Sequence, residues 1–407
     1  ILDKVKDIQT KENVQITLSI AISNDGMTDK EKYKSAQAAM DVVLGRGGDQ
    51  AVIRENEIYK FYGGRAQEVE KRTKVKARVV AHALENLIKD ASKVMVMGHT
   101  NPDIDSMGSS MGIYRLAKSL GKKAYIIDSS ETNTLQSFKA DLAKEAEYED
   151  TLITKEVAEE NIDKETLVVV VDTHKTTYVE APELLKRTDK IVIIDHHRRS
   201  ADYIENATLT FQEVYASSAA ELVTELLQYA EARVDLKTIE AESLYAGIMM
   251  DTKNFTFKTG VRTFEAAAYL RRCGVNIIRV KKWFQSNLDT FNKIAAIVKK
   301  AEIVNDTIAI ATYEKKDKEA SLICAKAADE LLTISDITAS FVMGKVGNKI
   351  CISGRSIGDI NVQVILEKLG GGGHITLAGA QVEGMTMEET KQELINRINE
   401  YFSEIES

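Results

Sequence analysis

The sequence predicts an α/β fold: a parallel-sheet domain joined by helices to a smaller α/β domain, with a partial N-terminal segment ahead of both. Two observations carry this. Short apolar runs at Lys93–Met97, Lys123–Ile127, Leu167–Val171 and Lys190–Ile194 alternate with helical stretches. Unbroken apolar strands of this kind are buried on both faces, as in parallel sheets covered by helices. A second strand-and-helix block follows, with strands near 302–313 and 348–353 and a glycine run at 370–373. At 407 residues the chain also exceeds the size at which a single core stops growing, so more than one domain is expected.

Taken in order, residues 1–65 offer a helical start, a strand at 14–22, a turn at Asn24-Asp25-Gly26, a helix over 29–44 and a hairpin over 51–62. Residues 66–91 read as a linker helix, with Val75, Val79, Ala83, Leu84, Leu87 and Ile88 as one apolar stripe at helical period. Residues 92–258 hold the parallel sheet, 259–300 form a helical connector and 301–407 form the smaller domain. Function in parallel sheets sits at the carboxyl ends of the strands.

A net charge of -8 argues against a general grip on long nucleic acid, whose binding needs a basic groove. A small anion at a local metal site is compatible with it. Cys273, Cys324 and Cys351 are widely spaced without a CxxC pair and read as reduced cytosolic thiols. No run approaches the roughly 20 apolar residues that span a bilayer, and no signal peptide is present. The start at Ile1, close to a strand-like run, suggests a fragment of something longer.

The chemistry lies at the strand ends. After the first run comes Gly98-His-Thr-Asn-Pro-Asp-Ile-Asp105, which puts His99, Asp103 and Asp105 on a strand-to-helix loop. The run at 167–171 ends in Asp172, the run at 190–194 ends in Asp195-His196-His197, and Asp251 closes a further apolar stretch. A single such aspartate commonly caps the next helix, and a lone histidine is usually a hydrogen-bonded loop residue. Four segments ending this way point instead to a shared site. Carboxylates with imidazole and no thiolate suit manganese-type ions, and two ions about 3.5–4 Å apart can bind opposite oxygens of a phosphodiester.

The spacing His99-x-x-Pro102-Asp103-x-Asp105-x-x-Gly108-Ser109, followed by Asp172 and Asp195-His196-His197, resembles the motifs of the DHH phosphoesterase superfamily over about 92–404. The resemblance implies one ion on His99 and Asp103 and a second on Asp105, His196 and Asp251, with Asp172 bridging them. It also implies that Asp195 orients His196 and that His197 faces the substrate phosphate; Asp172, Asp195 and His197 are the expected catalytic residues.

In the C-terminal block, Ile352-Ser-Gly-Arg355, Asn361 and Leu369-Gly-Gly-Gly-Gly-His374 resemble the DHH-associated domain. There Arg355, Ser353, Asn361, Gly371, Gly372, Gly373 and His374 are expected to hold the nucleotide through a two-pronged guanidinium and exposed backbone N–H groups. Ser218 with Glu221 reads as a capping box rather than a phosphate contact. Trp283 and Phe284 read as packing, and His82 has no assigned role.

Residues 17–22 and 33–46 resemble the closing half of a GGDEF domain, yet Gly47-Gly48-Asp49-Gln50 falls at a helix end and lacks Glu-Phe, so no cyclase activity is expected. A degenerate GGDEF remnant joined to the DHH pair is similar to the GdpP-type cyclic di-AMP phosphodiesterases. That implies two divalent ions, manganese by preference, hydrolysis of cyclic di-AMP to linear pApA, a homodimer, and cytoplasmic domains of a membrane-anchored protein. The alternatives are a short-oligonucleotide exonuclease or pAp phosphatase, and a nucleotide-sensing module without turnover.

Overall fold

A computed structural model of the chain describes residues 2, 5, 18–45, 50–55, 58–63, 74–130, 135–200, 202–315, 317, 319–358 and 360–406. Two compact units divide the chain, Ile1–Phe284 and Gln285–Ser407. The division falls inside the expected connector: helices Val261–Arg272 and Ile277–Trp283 lie in the first unit and Leu288–Val298 in the second.

The first unit opens with β1 (Ile20–Ser23), the helix Asp29–Gly45, β2 (Gln50–Glu55) and β3 (Ile58–Gly63). β1 pairs parallel to β2, and β2 antiparallel to β3 as the expected hairpin. Ala39, Val43 and Val52 form a small core against the helix. Residues 14–17 of the expected first strand, and Gly47, Gly48 and Asp49, lie outside the described residues.

The helix Lys74–Asp90 occupies the described part of the expected linker. Its apolar face differs from the expected stripe: Val75 and Val79 are 79% and 64% exposed, whereas Ala77, Val80, Ala81, Leu84 and Ile88 are buried. A run rich in valine and alanine offers two overlapping stripes at a period of 3.6, and packing against the helix Ala219–Tyr229 selects the second. Leu84 and Ile88 enter the core beneath the sheet, each adding roughly 1.5–3 kcal/mol through apolar burial.

Six strands then form an all-parallel sheet: β4 (Val94–Met97), β5 (Ala124–Ile127), β6 (Leu152–Ile153), β7 (Leu167–Val171), β8 (Ile191–Asp195) and β9 (Leu209–Gln212). Their order is β6-β5-β4-β7-β8-β9. Burial on both faces is visible along β7, where Val169 and Val171 join one core and Val168 and Val170 the other. The strand order reverses direction between β4 and β7, so connections leave these neighbours toward opposite sides and open a crevice at their carboxyl ends.

The second unit holds a sheet in the order β10-β11-β12-β13-β15-β14. These strands are β10 (Glu302–Val304), β11 (Ile308–Tyr313), β12 (Ala339–Val346), β13 (Lys349–Ser356), β14 (Gly372–His374) and β15 (Leu377–Glu383). β11 and β12 pair parallel and the other neighbours antiparallel. One face packs on helices Leu288–Val298 and Ala320–Leu331, the other on Val362–Glu367 and Met387–Glu406. Among the described residues no helix is long and apolar enough to cross a membrane.

Candidate metal centre

The crevice between β4 and β7 collects six of the residues singled out in the sequence. His99 follows β4 directly; its ring stacks on Tyr178 with centroids 5.2 Å apart and 3° between planes. Asp103 caps the helix Ile104–Ser119, its Oδ1 accepting from the N–H groups of Asp105 at 2.9 Å and Ser106 at 3.1 Å. Its other oxygen, Oδ2, stands 3.8 Å from His99 Nε2. One oxygen of this carboxylate is thus used in capping the helix, and the other is left facing His99.

Asp105 is buried and also serves a helix end. Its oxygens accept from the Ala219 and Ala220 amides at 2.8 and 2.9 Å, at the N-terminus of helix Ala219–Tyr229. Oδ2 lies 4.0 Å from His196 Nε2. Ser218 caps the same helix through the Glu221 amide at 3.0 Å, as expected, but the return half of the expected box differs: the Glu221 carboxylate accepts from the Ser217 amide at 3.3 Å and hydroxyl at 2.6 Å. Asp251 ends the helix Thr238–Asp251, with Oδ2 3.2 Å from His196 Nε2. That helix approaches Asp105 so closely that a Cβ on Gly247 would lie 2.7 Å from Asp105 Oδ1 and 2.8 Å from its Cα, so only glycine fits.

Asp172 stands at the middle. Its Oδ2 is 3.5 Å from His99 Nε2 and its Oδ1 3.4 Å from His196 Nε2, so the two oxygens face different groups. Ligand-sized clusters form on either side, His99 with Asp103 and Asp172, and Asp105 with His196 and Asp251; Asp172 also clusters with His196 and His197. The backbone of Asp172 sits in the left-handed region at φ 60°, where a non-glycine residue is strained and strain gathers at functional sites. Asp172 Oδ1 and His196 Nε2 are buried without a hydrogen-bond partner, as are Nδ1 of His99 and of His196. An unpartnered carboxylate oxygen beside an unpartnered imidazole nitrogen, each able to offer a lone pair, fits a hard or borderline divalent cation.

The charges tell the same story. Burial, then the charges of Asp172 and Asp251, pushes the Asp103 carboxyl up to about 7, and the same causes raise Asp105 well above the carboxylate range. Burial would raise Asp172 too, but the imidazoles of His196 and His99 outweigh it and hold that group at about 2. Burial opposes charge on His196 and His99, yet Asp172 and the neighbouring carboxylates raise both. Excess negative charge of this kind asks for cations.

Asp195 is buried at the end of β8, and its partners differ from the expected one. Oδ1 accepts from His197 Nδ1 at 2.8 Å and from the His197 amide at 3.1 Å, while Oδ2 is in close contact with His174 Nδ1. His196 Nδ1, which Asp195 was expected to orient, has no hydrogen bond. The sequence reading overlooked His174, two positions beyond Asp172 and buried; a histidine so near a strand-end aspartate was the available signal.

In the second unit, Arg355 and Ser353 share one face of β13. Arg355 is buried, donating from Nε to Asp329 Oδ1 at 2.9 Å and from Nη1 to the Gly354 carbonyl at 2.9 Å. Asn361 caps the helix Val362–Glu367, its Oδ1 accepting from the Gln363 and Val364 amides at 3.1 and 3.2 Å. Gly371 precedes β14, which Gly372, Gly373 and His374 form; Gly373 has φ 149°, and a Cβ there would meet the Leu377 carbonyl at 2.4 Å. Strand pairing thus requires that glycine without reference to a ligand. The His374 side chain is outside what is described.

The fold and the site define a DHH-type protein. Residues 93–248 match the DHH family, N-terminal domain, and residues 305–404 the DHHA1 domain, so the chain carries the paired domains of the DHH family. Residues 1–61 match the GGDEF domain of the cyclic-di-AMP phosphodiesterase GdpP-like type. The chain is 44% identical over 406 residues to Cyclic-di-AMP phosphodiesterase GdpP of Geobacillus thermodenitrificans, covering 99% of this chain and 62% of that protein. It is 41% identical over 408 residues to the protein of the same name from Bacillus subtilis, again 99% of this chain and 62% of the relative. The chain thus spans 62% of the length of these curated relatives. In fold it is similar to an exopolyphosphatase-related protein from Bacteroides fragilis, with TM-score 0.70 and 19% identity, covering 81% of this chain and 98% of that one.

Proposed function

We propose that the chain hydrolyses cyclic di-AMP to linear pApA at the centre around Asp172. The observation that carries this is the split carboxylate: Oδ2 of Asp172 faces His99 and Oδ1 faces His196, at 3.5 and 3.4 Å. His99, Asp103 and Asp172 would hold one divalent ion, and Asp105, His196, Asp251 and the same Asp172 a second, manganese by preference. Two ions bound there would supply charge for the phosphodiester oxygens and would lower the pKa of an attacking water. The protein's part is to hold the ions in register, through helix ends that fix Asp103 and Asp105 and a strained turn that fixes Asp172. Asp195 orients His197, which meets the phosphate. Ser353, Arg355, Asn361, Gly371, Gly372, Gly373 and His374 are the proposed nucleotide contacts of the second unit. The names of the two relatives support cyclic di-AMP as the substrate.

The test is substrate competition: manganese-loaded protein is given cyclic di-AMP, cyclic di-GMP, pApA and pAp, and the products are followed by chromatography. Cyclic di-AMP should be consumed fastest, with pApA accumulating. Turnover confined to pApA or pAp would make the chain an exonuclease or phosphatase instead.

A further inference from the structure

We propose that His174 is a positioning residue of this site: its imidazole, held in one tautomer by the Ser200 amide, fixes Asp195 and through it the orientation of His197. The inference rests on the reading above in which His197 meets the substrate phosphate.

The tautomer follows from which atoms can donate. The Ser200 backbone N–H reaches His174 Nε2 at 2.9 Å, and an amide nitrogen only donates. Nε2 is therefore the acceptor and Nδ1 carries the ring proton, which goes to Asp195 Oδ2 in close contact; Gln212 Nε2 stands farther from that Nδ1, at 3.3 Å, and donates at 2.8 Å to the His197 carbonyl instead. Ser200 Oγ, 3.1 Å from the same Nε2, turns its own proton to the Asp202 carbonyl. The His174 carbonyl accepts from the Ile204 amide at 2.9 Å, so the segment after the two histidines is tied to His174 by backbone as well as ring.

Asp195 is thus gripped from two sides, His174 on Oδ2 and His197 on Oδ1. With its Nδ1 proton committed to Asp195 at 2.8 Å, His197 has Nε2 left to face a phosphate oxygen, to which it donates as the doubly protonated imidazolium, on a ring whose side chain is 45% exposed. Gln212 holds the backbone of the same residue, donating from Nε2 to the His197 carbonyl at 2.8 Å. Without the His174 donor, Oδ2 of a fully buried carboxylate has no described partner, and the carboxylate is free to turn away from His197. The arrangement is a carboxylate orienting a histidine, with a second histidine orienting the carboxylate.

The manganese-loaded full chain is assayed on cyclic di-AMP as wild type, His174→Leu and His174→Asn. The asparagine amide places a donor near the Nδ1 position. His174→Leu should lower kcat about 10- to 100-fold with KM and bound manganese nearly unchanged, and His174→Asn should recover most of the loss. In long-range nitrogen-proton spectra of wild type, the imidazole signal absent from both variants should be the Nδ1–H tautomer. An unchanged kcat in His174→Leu, an asparagine variant no better than leucine, or an Nε2–H ring would overturn the proposal. Should His174→Leu fail to fold by its melting curve, the asparagine variant and the tautomer decide. Should wild type not turn over cyclic di-AMP, the functional reading fails while the tautomer still judges His174.

Discussion

Asp172 combines a strained backbone with a carboxylate whose oxygens face two clusters, so its loss should be felt on both sides at once. Asp172→Ala is expected to lower turnover on the order of a thousandfold or more, several kcal/mol of lost charge stabilisation, and to reduce bound manganese by calorimetry. Near-normal turnover would sink the two-ion assignment. The pH dependence has a definite sign. Asp103, raised to about 7, destabilises the metal-free fold progressively as pH climbs from near 4 to 7. The raised imidazoles of His99 and His196 lose their stabilising charge in the same direction, whereas Asp172, held at about 2, loses its contribution only in acid. An ion entering at lower pH must displace these protons. Manganese should therefore raise the melting temperature of stripped protein more at pH 8 than at pH 6; an equal or reversed shift would contradict this. At this scale the sequence was legible where a residue ends a strand. It was opaque where partnership depends on the turn of a loop, as with His174, and with Asp195 choosing His197 over its direct neighbour His196.

The helix Thr238–Asp251 crosses the start of Ile104–Ser119 at Gly247, and this crossing brings Asp251 toward His196 while Asp105 caps Ala219–Tyr229. Gly247→Ala forces a methyl against Asp105. It should cost about 1–3 kcal/mol in thermal unfolding and displace Asp105 enough to weaken manganese binding. A variant as stable and as tightly metal-bound as wild type would show that the contact is slack. On β13, Arg355→Ala should weaken cyclic di-AMP binding about ten- to a hundredfold, the worth of a lost charged hydrogen bond, with manganese content unchanged. Metal loss alongside, or unaltered binding, would remove Arg355 from the substrate contacts. The strands at β4, β5, β7 and β8 were legible because each is a continuous apolar run buried on both faces. β6, with two residues, is too short to carry a pattern. β9 reads Leu-Thr-Phe-Gln, an alternation too brief to separate from a loop. The linker stripe was misplaced because periodicity gives the width of an apolar face, while the neighbouring helix decides which edge of it is buried.

Across the molecule, the N-terminal sheet contributes no residue to the clusters around Asp172 among the described residues. Asp49→Ala should leave cyclic di-AMP turnover within about a few-fold of wild type, because no step of the proposed chemistry is assigned to the N-terminal segment. A large loss with the melting curve intact would mean that the N-terminal segment takes part in catalysis. The gathering of His99, Asp103, Asp105, Asp172 and His196 was readable from the ends of apolar strands, and that of Asp251 from the end of an apolar helix, because the strand reversal between β4 and β7 brings loops distant in sequence to one edge. The most direct test of that centre is metal add-back: protein stripped of metal is titrated with manganese while bound ions per chain and cyclic di-AMP turnover are measured together. Turnover should be absent in the stripped protein and should saturate as two manganese ions bind; full turnover without added metal, or saturation at a single ion, would contradict a centre bridged by Asp172.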